Sequence, residues 1–244
     1  MAMNDGNDAG DGDRNSRDDA TEMAARYARR AGLAGRYDPR RPEVWQARHE
    51  RERVLAGLLA RRVPGPLHGL DVLEVGCGHG DNLLELLRLG FSADRLVGNE
   101  LLPERLAAAR ARLPAAATLL GGDATQLDLP PARFDLVLQS TVFSSILDDG
   151  FQQRLADAMW RWVKPGGAVI WYDFTFDNPR NRDVRGVPLA RVRRLFPMGR
   201  IEASRVTLAP PLARAVCRWH PALYTFFNGL PLLRTHVLAW VHKT

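Results

Sequence analysis

Through the middle of the chain, short apolar runs alternate with amphipathic segments whose apolar residues recur at helical spacing. Each apolar run is too short for a buried helix and predicts a strand. Four strands are predicted at residues 70–75, 96–100, 117–123 and 134–140, a fifth ends near residue 171, and helices are predicted at residues 81–89, 103–112 and 150–163. This alternation predicts a parallel sheet covered by helices on both faces.

The two ends of the chain follow other patterns. Residues 1–20 have almost no apolar side chains, so they cannot offset their ordering entropy and predict a disordered acidic tail. Residues 21–64 predict two helices, one capped by Thr21 and running through Arg30, the other running from Pro42 through Arg62. The C-terminal part predicts a helix at 189–196, a strand at 200–208, a helix at 211–227 broken near Pro221, and a last strand at 236–242.

Three glycines at alternate positions, Gly76, Gly78 and Gly80, separate the first predicted strand from the helix that follows. This order predicts a tight turn at the sheet edge where α/β proteins bind ligands. A dinucleotide site requires its third glycine one residue later, where this chain has Asp81. Glu74, two positions before the first glycine, would repel a pyrophosphate and suits a cationic ligand.

The stretch resembles the E-x-G-x-G-x-G motif of class I S-adenosylmethionine-dependent methyltransferases, whose cofactor carries a sulfonium and an ammonium group but no phosphate. Carboxylates at the ends of the second and third strands, Glu100 and Asp123, match the family in order and spacing. Residues 162–167 are similar to its L-K-P-G-G signature. The resemblance is close over residues 70–175. A weaker one, over residues 172–187, is to methyltransferases of bacterial surface-polysaccharide gene clusters.

This resemblance implies an α/β fold with a doubly wound, seven-stranded, mostly parallel sheet, an antiparallel last strand and N-terminal helices. It implies that the cofactor is S-adenosyl-L-methionine. Glu74 is then expected near the ammonium group, directly or through water. Glu100 is expected on the ribose hydroxyls, Asp123 on the adenine amino group and Gln139 on the methionine portion. The expected cofactor-binding residues are Glu74, Gly76, Cys77, Gly78, Gly80, Glu100, Leu101, Asp123, Ala124 and Gln139.

Methyl transfer to a hydroxyl requires a positioned base, and Asp173 and His49 are the candidates. Asp173 begins a polar segment, residues 173–185, that leaves the fifth strand at the ligand-binding edge. A structural role for Asp173, accepting from loop amides, is an equal alternative. The substrate-binding candidates are polar or aromatic side chains of this segment and of the N-terminal helices, namely Tyr37, Trp45, Arg48, Asn178, Arg180 and Arg182.

These features predict three parts of the chain: a tail at 1–20, a helical lid at 21–64 and a methyltransferase domain at 65–244. Family members often place such N-terminal helices over the cofactor. The alternative, held as equal, is a solvated helix that packs Trp45 on the edge of the domain.

Charge is distributed unevenly in this chain of 244 residues, whose formal net charge is +6. The residues before Met23 carry −5 and the remainder carries +11. From Arg180 onward, twelve basic residues face two acids, which indicates either a solvated arginine surface or an anionic partner, including peripheral contact with a membrane.

Composition excludes several classes of protein. No apolar run is long enough to span a membrane, and the first residues lack a signal pattern. Two cysteines form neither a disulfide framework nor a metal-ligand cluster, so we expect a cytoplasmic protein without a metal.

The acceptor is the least determined part of the prediction. Residues 139–145 lack the Asp/Asn-Pro-Pro-aromatic motif of enzymes that methylate base amino groups, which disfavours nucleic acid. The predicted activity is O-methylation of a sugar or glycan, in lipid-linked or nucleotide-linked form. N- or O-methylation of a small natural product and a non-catalytic partner subunit are the alternatives. The sequence leaves the oligomeric state open.

Overall fold

The computed structural model describes residues 21–22, 25–26, 35, 38–177 and 181–244. Within these residues, seven strands form one sheet in the order β3-β2-β1-β4-β5-β7-β6. The strands are β1 Val72–Val75, β2 Leu96–Glu100, β3 Thr118–Gly121, β4 Phe134–Ser140, β5 Val163–Phe174, β6 Gly199–Leu208 and β7 Arg234–Lys243. The helices are α1 Pro42–Arg62, α2 Asp81–Leu89, α3 Pro103–Arg112, α4 Asp149–Trp162, α5 Leu189–Leu195, α6 Pro210–Cys217 and α7 Ala222–Asn228.

Strands β1 to β5 are parallel, and β7 is inserted antiparallel between β5 and β6. Because β6 is antiparallel to β7, it runs in the same direction as β1 to β5. The carboxyl ends of six strands and the first residue of β7 therefore meet at one edge of the sheet. This arrangement confirms the predicted fold class.

Both faces of the sheet are covered, and the alternation of side chains along the strands divides the core into two layers. In β4, Val137 packs into one layer, with Trp162 and Met159 of α4. Leu136 and Leu138 pack into the other, with residues of α1 and α2. Helix α1 therefore shares a hydrophobic core with the sheet.

Helix α1 begins and ends where the sequence predicts. Pro42 occupies the first turn, where its missing N–H costs nothing, and Glu43 near the start and Arg61 and Arg62 at the end complement the helix dipole. The predicted helix from Thr21 to Arg30 lies mostly outside the described residues. The division of the chain at residue 64 stays a prediction.

The C-terminal helical segment agrees with the prediction of a helix at 211–227 broken near Pro221: it forms two helices, α6 and α7, joined by the turn 218–221. Strand β7 begins two residues earlier than predicted, at Arg234, because that side chain donates to the carbonyls of Asn228 (2.7 Å) and Arg205 (2.9 Å) and fixes the strand start.

Candidate active site

A cavity of about 530 Å³ opens at the sheet edge where the strand ends meet. Its walls come from the loops after β1, β2, β3 and β4, the end of β5, the start of β7 and one face of α1. The volume suits a small-molecule ligand, for which pockets of roughly 300–1,000 Å³ are typical.

The glycine turn forms one wall of this cavity. Gly76, Gly78 and Gly80 all have positive φ, at 68°, 57° and 82°. A Cβ on Gly76 would lie 2.5 Å from Val142 Cγ2, and one on Gly80 would lie 2.8 Å from Leu113 Cδ1, whereas one on Gly78 would meet nothing within 4 Å. Gly76 and Gly78 line the cavity, and Gly80 packs behind it against Leu113.

Three N–H groups of this turn are occupied by partners within the chain. Cys77 N donates to Asn99 O at 2.8 Å, Gly78 N to Glu100 Oε2 at 2.8 Å, and Gly80 N to Cys77 O at 2.9 Å. A pyrophosphate site would need such donors free and aimed at the ligand. The turn therefore fits a ligand without a phosphate.

Two carboxylates lie at the ends of neighbouring strands on the same wall. Glu100 is buried, and its Oε1 accepts from Leu102 N at 2.9 Å. Asp123 accepts from the amide and hydroxyl of Thr125 at 2.8 Å and 2.9 Å. A carboxylate oxygen can accept more than one hydrogen bond, so both side chains are of a type that also binds ligand hydroxyl or amino groups. Leu101, Ala124 and Cys77 also line this end.

Glu74 lies behind the cavity wall, and its expected position near the ammonium group, directly or through water, stays a prediction. The alternation of β1 directs it into the layer under α1 and α2, where Oε1 accepts from Asn82 Nδ2 at 2.5 Å. Asn82 Oδ1 accepts from Arg51 Nη2 at 2.6 Å, and both Asn82 and Arg51 line the cavity. Burial raises the pKa of Glu74 to about 8, and its Oε2 has no partner. Glu74 therefore acts on the cavity through Asn82.

Gln139 and Asp173 also lie outside the cavity lining. The amide of Gln139 donates to Tyr172 O (3.3 Å) and accepts from Val142 N (3.1 Å), which shapes the turn after β4. Asp173 is fully buried and accepts from the amides of Ser144 (3.0 Å) and Phe174 (3.0 Å). Burial raises the pKa of Asp173 to about 7, against those amides, which lower it. This geometry matches the structural alternative for Asp173 rather than the general base.

Helix α1 borders the cavity along one stripe. Four of its residues line the cavity at helical spacing: Val44, Ala47, Arg48 and Arg51. Trp45 and His49 point away from it: Trp45 is 55 % exposed, and His49 Nδ1 lies 3.4 Å from Glu52. The sequence analysis selected cavity residues of α1 by residue type and missed Val44, Ala47 and Arg51. These three lie on the same helix face as Arg48, so the 3.6-residue period would have identified them.

The end of the cavity away from Glu100 contains a histidine that the sequence analysis did not select. His236 of β7 stacks on Tyr172 of β5, with ring centroids 5.1 Å apart and planes at 16°, and both side chains line the cavity. Its Nδ1 is 3.0 Å from Thr235 Oγ1. Burial, with the nearby charge of Arg51, lowers the pKa of His236 to about 4, so the imidazole is neutral at pH 7.

Within the described part of the polar segment predicted at 173–185, Phe174, the last residue of β5, is the one that lines the cavity. Beyond it, Asp177 accepts from Gly186 N at 2.8 Å, and Arg182 is exposed and does not line the cavity. Three of the predicted substrate-binding residues, Tyr37, Asn178 and Arg180, lie outside the described residues.

Comparison with known proteins gives the family. Residues 72–167 match the family model described as "Methyltransferase domain". Trans-aconitate 2-methyltransferase of Variovorax paradoxus is 32 % identical over 205 residues, which cover 80 % of this chain and 74 % of that protein. The chain belongs to the S-adenosylmethionine-dependent methyltransferases. Its cofactor is S-adenosylmethionine, and it is an enzyme.

Solved structures share the fold of this methyltransferase. One is 1,6-didemethyltoxoflavin-N1-methyltransferase of Burkholderia thailandensis with bound 1,6-didemethyltoxoflavin and S-adenosylhomocysteine, at 19 % identity and a TM-score of 0.60, covering 92 % of this chain and 91 % of that one. Another is the complex between the Haloferax volcanii Trm112 methyltransferase activator and a methyltransferase, at 21 % identity and a TM-score of 0.58, covering 86 % and 97 %.

The residues on the Glu100 side of the cavity fit the cofactor. Gly78 and Gly122 both line the cavity, and a Cβ on either would meet no atom within 4 Å, so side chains there would fill the ligand space. Glu100 and Asp123 provide acceptors for hydroxyl and amino groups beside it. The three occupied N–H groups of the glycine turn agree with a cofactor that has no phosphate.

Proposed function

We propose that this methyltransferase methylates a hydroxyl oxygen of a sugar or glycan and that His236 is its general base. The observation that carries the proposal is the neutral imidazole of His236 in the cavity wall. His236 belongs to β7, which is the third strand from β1 in the sheet. At about 4.8 Å per strand, this is about 14 Å from β1. S-adenosylmethionine, when bound, supplies a methyl group on a positively charged sulfur; the chain's own residues must orient the acceptor and remove its proton.

The hydrogen bonds around His236 favour the tautomer that a base needs. Thr235 Oγ1 donates to Thr207 O at 3.5 Å, so it can accept from His236 Nδ1 at 3.0 Å. With its proton on Nδ1, the ring has a free lone pair on Nε2 for the acceptor hydroxyl. A positioned general base contributes about 10²- to 10⁴-fold to such a step; the lowered pKa of His236 keeps its lone pair available at pH 7 but makes it a weaker base, so we expect the lower end of this range.

The chemistry of the surrounding wall supports a sugar as the acceptor class. Ser140, Thr141 and Ser144 bring hydroxyl groups from the turn after β4, and Tyr172 and Phe174 bring aromatic rings from β5. Hydroxyl groups match the hydrogen-bonding edges of a sugar, and aromatic rings match its apolar faces.

The test is a methyl-transfer assay with a labelled methyl donor and a panel of free, nucleotide-linked and lipid-linked sugars. We expect transfer to at least one sugar, and we expect His236→Gln to lower kcat about 100-fold while affinity for S-adenosylhomocysteine stays unchanged. Asp173→Asn is the comparison for the earlier candidate base. If the His236 variant transfers at the wild-type rate, the proposed base is wrong.

A second candidate acceptor is a small carboxylic acid. Arg48 and Arg51 line the cavity beside the hydroxyl-rich turn, and the relative from Variovorax paradoxus is named for methylation of trans-aconitate. A carboxylate is ionised at pH 7 and needs no base. This candidate therefore predicts transfer to di- and tricarboxylic acids in the same panel, at a kcat that His236→Gln leaves unchanged.

A further inference from the structure

The surface between α6 and β7 has an unusual composition. From Trp219 to Leu233, fifteen consecutive residues contain no Asp, Glu, Lys or Arg, although such residues make up 25 % of the chain. The segment comprises the turn after α6, helix α7 and the loop before β7. We call residues 210–233, which include α6, the C-terminal hairpin.

Large apolar side chains project from this hairpin into solvent. Trp219 is 87 % exposed, Phe226 71 %, Leu230 53 % and Leu232 89 %. Isolated exposed apolar side chains are ordinary, but several within fifteen residues indicate a surface that contacts another apolar phase.

The hairpin is packed against the rest of the protein through its own buried residues, so the exposed side chains are not core residues that lack their packing partners. Tyr224 is buried, donates to Glu50 Oε2 at 3.0 Å and accepts from Leu208 N at 3.2 Å. Leu223 and Leu233 pack beneath it in a small apolar cluster. Phe226 lies on the opposite face of α7 from Tyr224, so the anchoring of one side chain directs the other outward.

The hairpin lies at the same edge of the sheet as the active site. It connects the carboxyl end of β6 to the start of β7, and β6 runs in the direction of β1 to β5. It also packs against α1, where Ala47 touches the hairpin cluster and lines the cavity.

Charge around the hairpin is positive. Arg214 and Arg218 lie on and just after α6, and the sequence has no Asp or Glu after Glu202. Burial and the negative charge of Glu43 on α1 raise the pKa of the Cys217 thiol. Glu43 is itself paired with Arg41 at 2.8 Å. Trp, Phe and Leu side chains bordered by arginines are the composition of elements that lie in the interface of an anionic bilayer.

We propose that the C-terminal hairpin docks this methyltransferase on the surface of an anionic lipid bilayer. Trp219, Phe226 and Leu232 enter the interface, and Arg214 and Arg218 contact the lipid headgroups. Among the described residues, no helix is long and apolar enough to cross a membrane. A second copy of the chain fits less well, because a two-fold contact would bring the same arginines together with no acid of the hairpin to pair them.

Docking does not depend on which acceptor the enzyme methylates. Docking would hold the sheet edge at which the cavity opens close to the bilayer, where a lipid-linked acceptor would be accessible.

The experiment is co-sedimentation of the full chain with vesicles of phosphatidylcholine alone and of phosphatidylcholine with phosphatidylglycerol. We expect binding to the anionic vesicles that decreases with salt. Trp219→Ser/Phe226→Ser/Leu232→Ser should lower the partition coefficient at least about tenfold. The matched control is Met198→Ser, which removes a 76 % exposed side chain just before β6, at the opposite edge of the sheet, and should leave binding unchanged.

Affinity for S-adenosylhomocysteine checks that each variant is folded. Arg214→Gln/Arg218→Gln provides a second test that leaves the apolar residues intact, and it should reduce both binding to anionic vesicles and its salt dependence. No binding of the wild type to either vesicle would overturn the proposal, as would equal binding of the triple variant. A wild-type dimer in light scattering that the triple variant disperses, without vesicle binding, would assign the hairpin to a second copy and also overturn it.

Discussion

The cofactor side of the cavity consists of backbone and two carboxylates from consecutive strands, whereas the acceptor side consists of side chains from segments far apart in sequence. Gly76, Glu100 and Asp123 fall within 48 residues of one another. Arg51, Tyr172 and His236 span 186 residues and meet because β7 is inserted beside β5. The first side is fixed by local turns, and the second depends on the completed sheet.

The largest expected effect of a single substitution is on the cofactor side. Glu100→Ala removes the acceptor for Gly78 N and Leu102 N, and it also removes the carboxylate proposed to bind the ribose hydroxyls. We expect affinity for S-adenosylhomocysteine to fall about 100-fold in a calorimetric titration, because hydrogen bonds to a buried charge are lost. His236→Gln is the matched variant on the acceptor side and should bind as the wild type does. Equal losses in both variants would erase the distinction between the two sides.

Stability should also depend on the glycine turn. Gly76→Ala combines a positive φ with a Cβ 2.5 Å from Val142 Cγ2, whereas Gly78→Ala has only the positive φ. We expect Gly76→Ala to lower the free energy of unfolding by about 2–4 kcal/mol and Gly78→Ala by about 1–2 kcal/mol, measured by urea denaturation. A larger loss for Gly78→Ala than for Gly76→Ala would show that the close contact between the turn and Val142 does not exclude a side chain at position 76.

The buried carboxyl of Glu74 gives a pH dependence that an amide should abolish. Its pKa rises from 4.5 to about 8 on folding, so the stabilisation is complete below pH 4.5 and is lost as the pH rises through 8. Glu74→Gln should therefore lose less stability than the wild type between pH 5.5 and 8.5, by at most about 1.4 kcal/mol per pH unit. Denaturation at both pH values measures this difference.

Glu104→Gln, at an exposed position of α3, is the control and should follow the wild type. Parallel pH profiles for the wild type and Glu74→Gln would mean that Glu74 is not protonated near neutral pH.

The smallest expected effect on the cofactor is at the rim of the acceptor side. Arg48 is partly exposed and lies 3.3 Å from Glu52 and 3.9 Å from Asp81. Arg48→Ala should change affinity for S-adenosylhomocysteine less than about threefold, since such ion pairs contribute about 0–1 kcal/mol. The exposed Arg53 on the same helix provides the control variant. A much higher KM for a carboxylic acid in Arg48→Ala alone would favour the second candidate acceptor.

The same contrast explains what could be predicted from the sequence. Strands β2 and β4 and helices α1 and α3 were predicted to the residue because their apolar period and end signals are local. The fold class followed from their order and from the family resemblance, which also gave the cofactor.

On the acceptor side, the sequence could not choose between roles that depend on long-range placement. Asp173 was selected by residue type, yet its side chain faces the amide of Ser144 inside the core. His236 was included in the predicted last strand, but nothing local indicates that this strand lies beside β5 with its histidine against Tyr172. For Glu74, strand alternation turns the side chain away from Val75, which lines the cavity, and its expected role at the ammonium group stays a prediction.

Calorimetric titration of the purified wild-type chain with S-adenosylmethionine and S-adenosylhomocysteine tests the central claim most directly. The account predicts one site per chain with micromolar affinity for each ligand. It predicts no measurable binding of a dinucleotide, because three N–H groups of the glycine turn already have partners. Binding of the dinucleotide in place of S-adenosylmethionine, or of none of the three, would contradict it.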